Sequence, residues 1–423
     1  MSKVFARQLT IKDGIALGIG SIMGSGILFL PSFSYGLSGA DVLIAWVLTT
    51  LFCLPLLIVF SDMVRAVPNE HGVEGFLKLG LGKHIAAGLP ILLLGTVCIG
   101  MPSAALIAGR YVSRYFEAGI GIAVIIALGL ILLATATNIF GIKTGSLFQR
   151  WVAFLLFIVG GGLFFTTIPE ALPKLGEVTL TWNWSAILAG SVIAFWAFAG
   201  FENMTFMAGE FKNPHRDILI SIAVSLLLCG VLYIGLTANV VALIPRDEVN
   251  NIVGLYQLAE SVQQRELATA LIVLFALGAV AINLTSWCWG VSRLVYASAA
   301  SGAMPQYFHN LSDKNVPKRA LVFLLVVFSA VVVGASAVPE WFERGLQVVS
   351  TNFVVLYLLC ILSYTIYSKS FVKKLLGGVL AIALLAVLTS SGWMVLYPAG
   401  LVGVAAIRSL ILDRQRGQEV IEC

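Results

Sequence analysis

Apolar runs long enough to cross a bilayer follow one another along almost the whole chain, separated by short turns that hold most of the charge. About 20 apolar residues span the hydrocarbon core as a helix. A window of that length predicts twelve spans, near residues 13–36, 41–64, 86–110, 118–138, 147–168, 185–207, 217–244, 266–292, 319–338, 346–367, 373–390 and 393–412. The fold class expected is an all-α polytopic membrane protein. Two runs are interrupted by glycine: GIGSIMGSGILFLP from Gly18 to Pro31, and the stretch around Gly200. An unpaired backbone group in hydrocarbon costs several kcal/mol, so a broken helix persists only where it lines a cavity or holds a ligand.

Composition agrees with this pattern. Of 423 residues, 59% are apolar and 11% charged, with mean hydropathy +0.97, against about 25% charged in soluble domains. An even number of spans puts both termini on one side. With that side cytoplasmic, only Arg110, Arg114, Lys174, Arg246, Arg265 and Arg344 of the 26 basic residues fall outside, as the positive-inside rule requires. The net charge of +5 is thus a topology signal and gives no reason to expect nucleic acid. Cys53, Cys98, Cys229, Cys288 and Cys360 lie in spans and Cys423 in the tail, with no redox or metal-ligand spacing. His71, His84, His215 and His309 are scattered over separate loops, so no metal site and no cofactor is expected. The first apolar segment is too long for a cleavable signal peptide and is expected to remain in the mature chain.

The two inner loops that follow spans 2 and 8, Arg65 to Ile85 and Arg293 to Lys318, correspond in position. The order of five spans that begins at span 1 therefore repeats at span 6, and an odd number of spans must invert in the membrane. One membrane domain over residues 1–423 is expected, with spans 1–5 at 13–168, an inverted repeat of spans 6–10 at 185–367, and accessory spans 11 and 12 at 373–412. The outer loop from Pro245 to Glu266 has the spacing of a short amphipathic surface helix, either a lid or a plain connector.

Gly24, Ser25 and Gly26 can present consecutive backbone N–H groups at the start of a half-helix, which favours an anion. The preceding half ends near Ile22 and Met23 with free carbonyls, which favour a cation. One gap thus suits a zwitterion such as an α-amino acid. Gly14, Gly18 and Gly20 are read as close-packing positions instead. In span 6, Gly200 permits unwinding and frees carbonyls along Phe195, Trp196, Ala197, Phe198 and Ala199, with Trp196 either a gate or a packing residue. Glu202 is the acidic residue placed well inside a span. It is either a proton-coupling group or a cap on the unwound backbone.

At these residues the chain resembles the amino acid–polyamine–organocation transporters, through IMGSGIL in span 1, FWAFAGFEN in span 6, GEFKNPHRD from Gly209 to Asp217 and SRLVYASAASGAMP from Ser292 to Pro305. The resemblance implies a five-plus-five inverted repeat of the LeuT type with discontinuous helices 1 and 6. It puts substrate carboxylate on Gly24, Ser25 and Gly26, ammonium on the carbonyls of Ile22, Trp196 and Ala199, and the gate at Trp196. Trp287 falls where some members hold an aromatic against the substrate, with Trp289 close enough to take that place. Leu156 stands where others carry a lysine, so lysine-based coupling is not expected. The chain looks most like bacterial inner-membrane exporters of methionine and branched-chain amino acids. With Phe195, Trp196, Phe198, Met23, Met101 and Trp287 nearby and no acid beyond Glu202, a neutral apolar substrate fits best. The alternatives are a proton-coupled importer or an exchanger of the same substrates, and, more distantly, a receptor without flux. No nucleophile–base cluster suggests an enzyme, no Walker loop suggests ATP use, and the oligomeric state is open.

Overall fold

The computed structural model describes residues 8–421, except 24–25, 68–71, 141, 201–203, 205–206, 208 and 301–303. Among these it is helical, with a lone parallel bridge between Leu9 and Phe211. Span 1 is two helices, α1 (Ile11–Met23) and α2 (Gly26–Ser38), followed by α3 (Val42–Ala66) and α4 (Gly72–Ala86). Then come α5 (Gly88–Tyr115), α6 (Ile120–Phe140), α7 (Ile142–Leu175) and α8 (Trp184–Phe198). The rest are α9 (Pro214–Leu243), α10 (Gly254–Glu260), α11 (Arg265–Ala300), α12 (Lys318–Ala337), α13 (Pro339–Tyr367), α14 (Phe371–Leu388) and α15 (Leu396–Ile421).

Nine stretches of the described residues are long and apolar enough to cross a membrane. Two of them, Gly26–Met63 and Phe371–Ile411, each hold two helices joined by a 3₁₀ turn, Gly39–Asp41 and Thr389–Val395. Separating those helices and adding the shorter apolar α8 returns the twelve predicted spans.

Packing follows the inverted repeat. Helix 1 packs on helix 7 (α1 on α9) as helix 2 packs on helix 6 (α3 on α8). Helix 3 meets helix 10 (α5 and α13) as helix 8 meets helix 5 (α11 and α7), and the pairs 4–8 and 9–3 also correspond. The fold is a five-plus-five inverted repeat with its broken helices at the centre. The first three glycines of helix 1 serve that packing. A Cβ on Gly14 would lie 2.2 Å from Ser221 Oγ, on Gly18 2.5 Å from Ser225 Oγ, and on Gly20 2.7 Å from Ile282. The same two serines donate to the α1 carbonyls of Ile11 (3.2 Å) and Ile15 (3.1 Å).

Two segments differ from the sequence expectation. The loop after span 2 is largely the helix α4, kinked at Gly82 (φ +82°). Its glycines read as loop signals, but Gly80 is there because the chain presses on Ser363, whose carbonyl oxygen lies 2.3 Å from where a Cβ would stand. The expected surface helix of the outer loop is α10, and it is not on the surface: Leu255, Tyr256 and Leu258 are buried, and Gly254 abuts Ser32 of α2. Apolar residues on what looked like one face of a solvated helix are docked against the broken helix instead.

Candidate functional site

The centre of the bundle is the interruption of helix 1. Met23 ends α1 and Gly26 begins α2; Gly24 and Ser25 lie outside the described residues. Both flanks are buried, Ile22 and Met23 on one side and Gly26 and Ile27 on the other. The Tyr233 hydroxyl of α9 lies 3.2 Å from the carbonyl oxygens of both Ile22 and Met23 and donates to them. The same oxygen lies 2.8 Å from where a Cβ on Gly26 would stand. Tyr233 is fully buried, stacked on Trp46 at 4.9 Å and edge-on to Phe198 at 6.0 Å. Trp46 is fixed in turn by its Nε1 donating to Ser34 Oγ at 3.2 Å. Neither tyrosine nor tryptophan was singled out in the sequence, because each sits in an ordinary apolar span whose partner is set only by packing.

The second break joins the first. Asn183 caps α8 by accepting from the amides of Ser185 and Ala186, and Asp41 holds the residues before it by accepting from the amides of Thr181 (2.8 Å) and Asn183 (2.8 Å). The helix ends at Phe198; Ala199 is extended and Gly200 has φ +130°, a conformation that side chains strongly oppose. Trp196 meets Phe29 of α2 edge to face at 5.3 Å, and Phe195 meets Tyr357 of α13 at 5.0 Å. The amide of Ala199 donates to Phe195 O (3.1 Å) and Trp196 O (3.0 Å), so those carbonyls close the last turn and each keeps a second lone pair. Ala197 and Ala199 are buried in the same region.

Trp287 is buried but stands apart from this set, tilted against Phe353 at 5.8 Å. Phe353 lies one turn from Tyr357 on α13, so Trp287 and Phe195 flank neighbouring positions of one helix face. Trp289 turns elsewhere, its Nε1 toward Glu210 at 3.4 Å. Glu202 lies outside the described residues, as does the side chain of Leu156 on α7. Met101 is buried on α5.

A buried ion pair was missed. Glu210 and Arg293 are 1% and 3% exposed and bonded to each other, although both were assigned to inner loops. Arg293 also donates to Trp289 O at 3.0 Å and lies 5.2 Å over the Trp289 ring. The Glu210 carbonyl accepts from the amides of Gln8 and Leu9, each at 2.9 Å. The signal was available: Arg293 sits four residues after Trp289 in a run that keeps helical periodicity beyond the predicted end of span 8.

Residues 9–407 match the family described as Amino acid permease. The chain belongs to that family. It is a multi-pass membrane protein whose family carries amino acids, and no enzyme. It is similar to the amino acid permease YecA of Bacillus subtilis (strain 168), 29% identical over 407 residues and 93% of each chain. The L-methionine/branched-chain amino acid exporter YjeH of Escherichia coli (strain K12) is 26% identical over 405 residues, 92% of this chain and 93% of that one. Among solved structures, MhsT in complex with L-phenylalanine has the same fold, with TM-score 0.69 and 16% identity over 92% of this permease and 100% of that chain.

Proposed function

We propose that this permease carries neutral, apolar L-amino acids by alternating access around the break between α1 and α2, and that it exports them. The observation that carries the reading is the lining of that break. Its described flanks are the Ile22 and Met23 carbonyls, the start of α2 at Gly26, and the rings of Phe29, Trp196, Tyr233 and Phe198, with no charged side chain among them. Opposed carbonyls and helix N-terminus suit the two ends of a zwitterion, whereas a cationic side chain calls for a further carboxylate.

In this reading the substrate carboxylate rests on the backbone of Gly24, Ser25 and Gly26. The ammonium takes the carbonyls of Ile22 and Met23 and of the run from Phe195 to Ala199, displacing the Tyr233 hydroxyl. Trp196 is the gate, Trp287 a more distant wall, and Glu202 the proton-coupling group. Residues 1–423 form one transport domain in a bacterial inner membrane, both termini cytoplasmic. Export draws on the likeness to YjeH.

Thermal unfolding of the purified protein against the twenty amino acids tests the site, since a ligand stabilises the state it binds. Methionine, leucine, isoleucine and valine are expected to raise the Tm of the wild type and not of Gly26→Leu. A persisting shift in that variant puts the site elsewhere. Efflux of labelled methionine and leucine from vesicles with imposed pH gradients decides direction, and uptake faster than efflux would turn the reading to the importer.

A further inference from the structure

A concavity of about 320 Å³ opens at one end of the bundle, where α3 finishes and α9 and α14 begin. Ile58 of α3 and Leu219 of α9 give it apolar wall, and Ser61, Asp62 and Arg65 of α3 and Lys373 of α14 give it polar groups. It sits at the edge of the apolar zone. The stretches able to cross a membrane run Gly26–Met63, Arg216–Leu243 and Phe371–Ile411, so Arg65, Leu219 and Lys373 each lie two or three residues from the end of one.

The wall continues onto surface that faces hydrocarbon. Leu51, Ile58 and Arg65 recur at seven-residue intervals along α3 and all three are exposed, which places them in one stripe of the helix. The next turns of α14 after Lys373 likewise expose Leu375, Val379 and Ile382.

The charges are unequal. Lys373 is paired with Asp62, 2.5 Å away, whereas Arg65 has no partner among the described residues. The concavity therefore carries one uncompensated cation. Arg216 and Lys374, both exposed, lie in the first turns of α9 and α14 and add positive potential, while Asp217 is buried and accepts from the amide of Asn213 at 3.1 Å. A guanidinium is weakly hydrated and holds a phosphate through two parallel donors. An apolar wall open to hydrocarbon beside such an arginine matches a phospholipid and not a phosphate free in water. A headgroup of net negative charge suits it better than one that brings its own ammonium among these cations.

We propose that this concavity binds an anionic phospholipid, with the phosphate on Arg65 and the Ser61 hydroxyl, Lys373 beside it, and one acyl chain along Ile58 and Leu219. The lipid then bridges α3 of the first repeat to the accessory helix α14. The proposal rests on the membrane fold and not on the helix-break reading. Thermal unfolding of the full-length protein in a neutral detergent tests it, with titration of dioleoyl phosphatidylglycerol, dioleoyl phosphatidylcholine or glycerol 3-phosphate, since a ligand stabilises the state it binds. Phosphatidylglycerol is expected to raise the wild-type Tm in a saturable way, and the other two to leave it unchanged at the same concentration. Arg65→Gln raises the lipid concentration needed for half the shift about fivefold, the scale of one basic residue at an anionic surface. Arg65→Lys, which keeps the charge and loses the fork, falls between that variant and the wild type. Lys318→Gln, which removes a charge at the start of α12 outside the concavity, behaves as the wild type. An equal shift from phosphatidylcholine, a shift reproduced by glycerol 3-phosphate, no shift at all, or the same loss in Lys318→Gln as in Arg65→Gln overturns the proposal.

Discussion

The hydroxyl of Tyr233 and the missing side chain of Gly26 share one small volume. A methyl group on Gly26 would approach that oxygen to 2.8 Å and the Leu30 side chain to 2.9 Å, an overpacking that costs about 1–3 kcal/mol in a close-packed interior. Gly26→Ala is therefore expected to lower the Tm, and Tyr233→Phe, which removes the oxygen, to return part of the loss when combined with it, although alone it destabilises by leaving two carbonyls short of a donor. Additive losses in the double variant would separate the two residues. A second residue responds to pH. Glu74 of α4 is largely buried, with Oε2 lacking a hydrogen-bond partner among the described residues, and burial pushes its carboxyl up to about 7 against the pull of Lys78. A carboxyl with a raised folded-state pKa favours folding in its neutral form. Its contribution is complete below about 4.5 and is lost as the pH rises through about 7. Glu74→Gln should match the wild-type Tm near pH 4 and exceed it at pH 8, by an amount equivalent to about 3 kcal/mol. An equal gap at both pH values would show that the charge of Glu74 is not the cause.

The Glu210–Arg293 pair fastens the segment after the second break to α11, and Gln8 and Leu9 are bonded to the same segment through the Glu210 carbonyl. Three elements thus meet on one buried charge pair. Removing one partner leaves the other charge uncompensated, which typically costs 3–5 kcal/mol, whereas removing both is far milder. Arg293→Met is expected to lower the Tm sharply and Glu210→Gln/Arg293→Met to recover most of it, with thermal unfolding in detergent as the measurement. Equal Tm losses in the single and double variants would mean that the charges do not sense each other. Elsewhere the helices are tied by neutral clamps: Asn138 of α6 donates to Thr285 O of α11 at 3.0 Å, and Asn352 of α13 to Thr96 of α5 at 3.0 Å. Each satisfies a polar group that hydrocarbon cannot solvate. Lys373 of α14 reaches Asp62 of α3 at 2.5 Å, so the first accessory helix is joined to the repeat by charge as well as by apolar contact.

Across the molecule, the broken helix lies at the centre, with α1 packed on α7, α9 and α11 and α2 packed on α8 and α9. The break and its central place were legible in the chain. Span length, the inside bias of lysine and arginine, and paired glycine breaks at Gly24–Gly26 and Gly200 are local properties fixed by what hydrocarbon refuses to solvate, and they led to the all-helical inverted repeat. Other features needed the fold. Whether an apolar residue faces lipid, a neighbouring helix or the break depends on the rotation of each helix, which composition leaves free in a nearly uniform apolar sequence. Tyr233, Trp46 and Phe29 took their places on that basis, Trp287 turned to Phe353 and Trp289 to Glu210, and α10 was buried against α2. Charge was legible as a count for the loops and misleading as a location. Arg293 and Glu210 look like surface residues until tertiary packing pairs them, because a buried charge is tolerable only beside its opposite and the two lie far apart in sequence. The sequence by itself determined where the chain must break and what polarity the break carries; only the three-dimensional packing decided which rings enclose it and which charges meet.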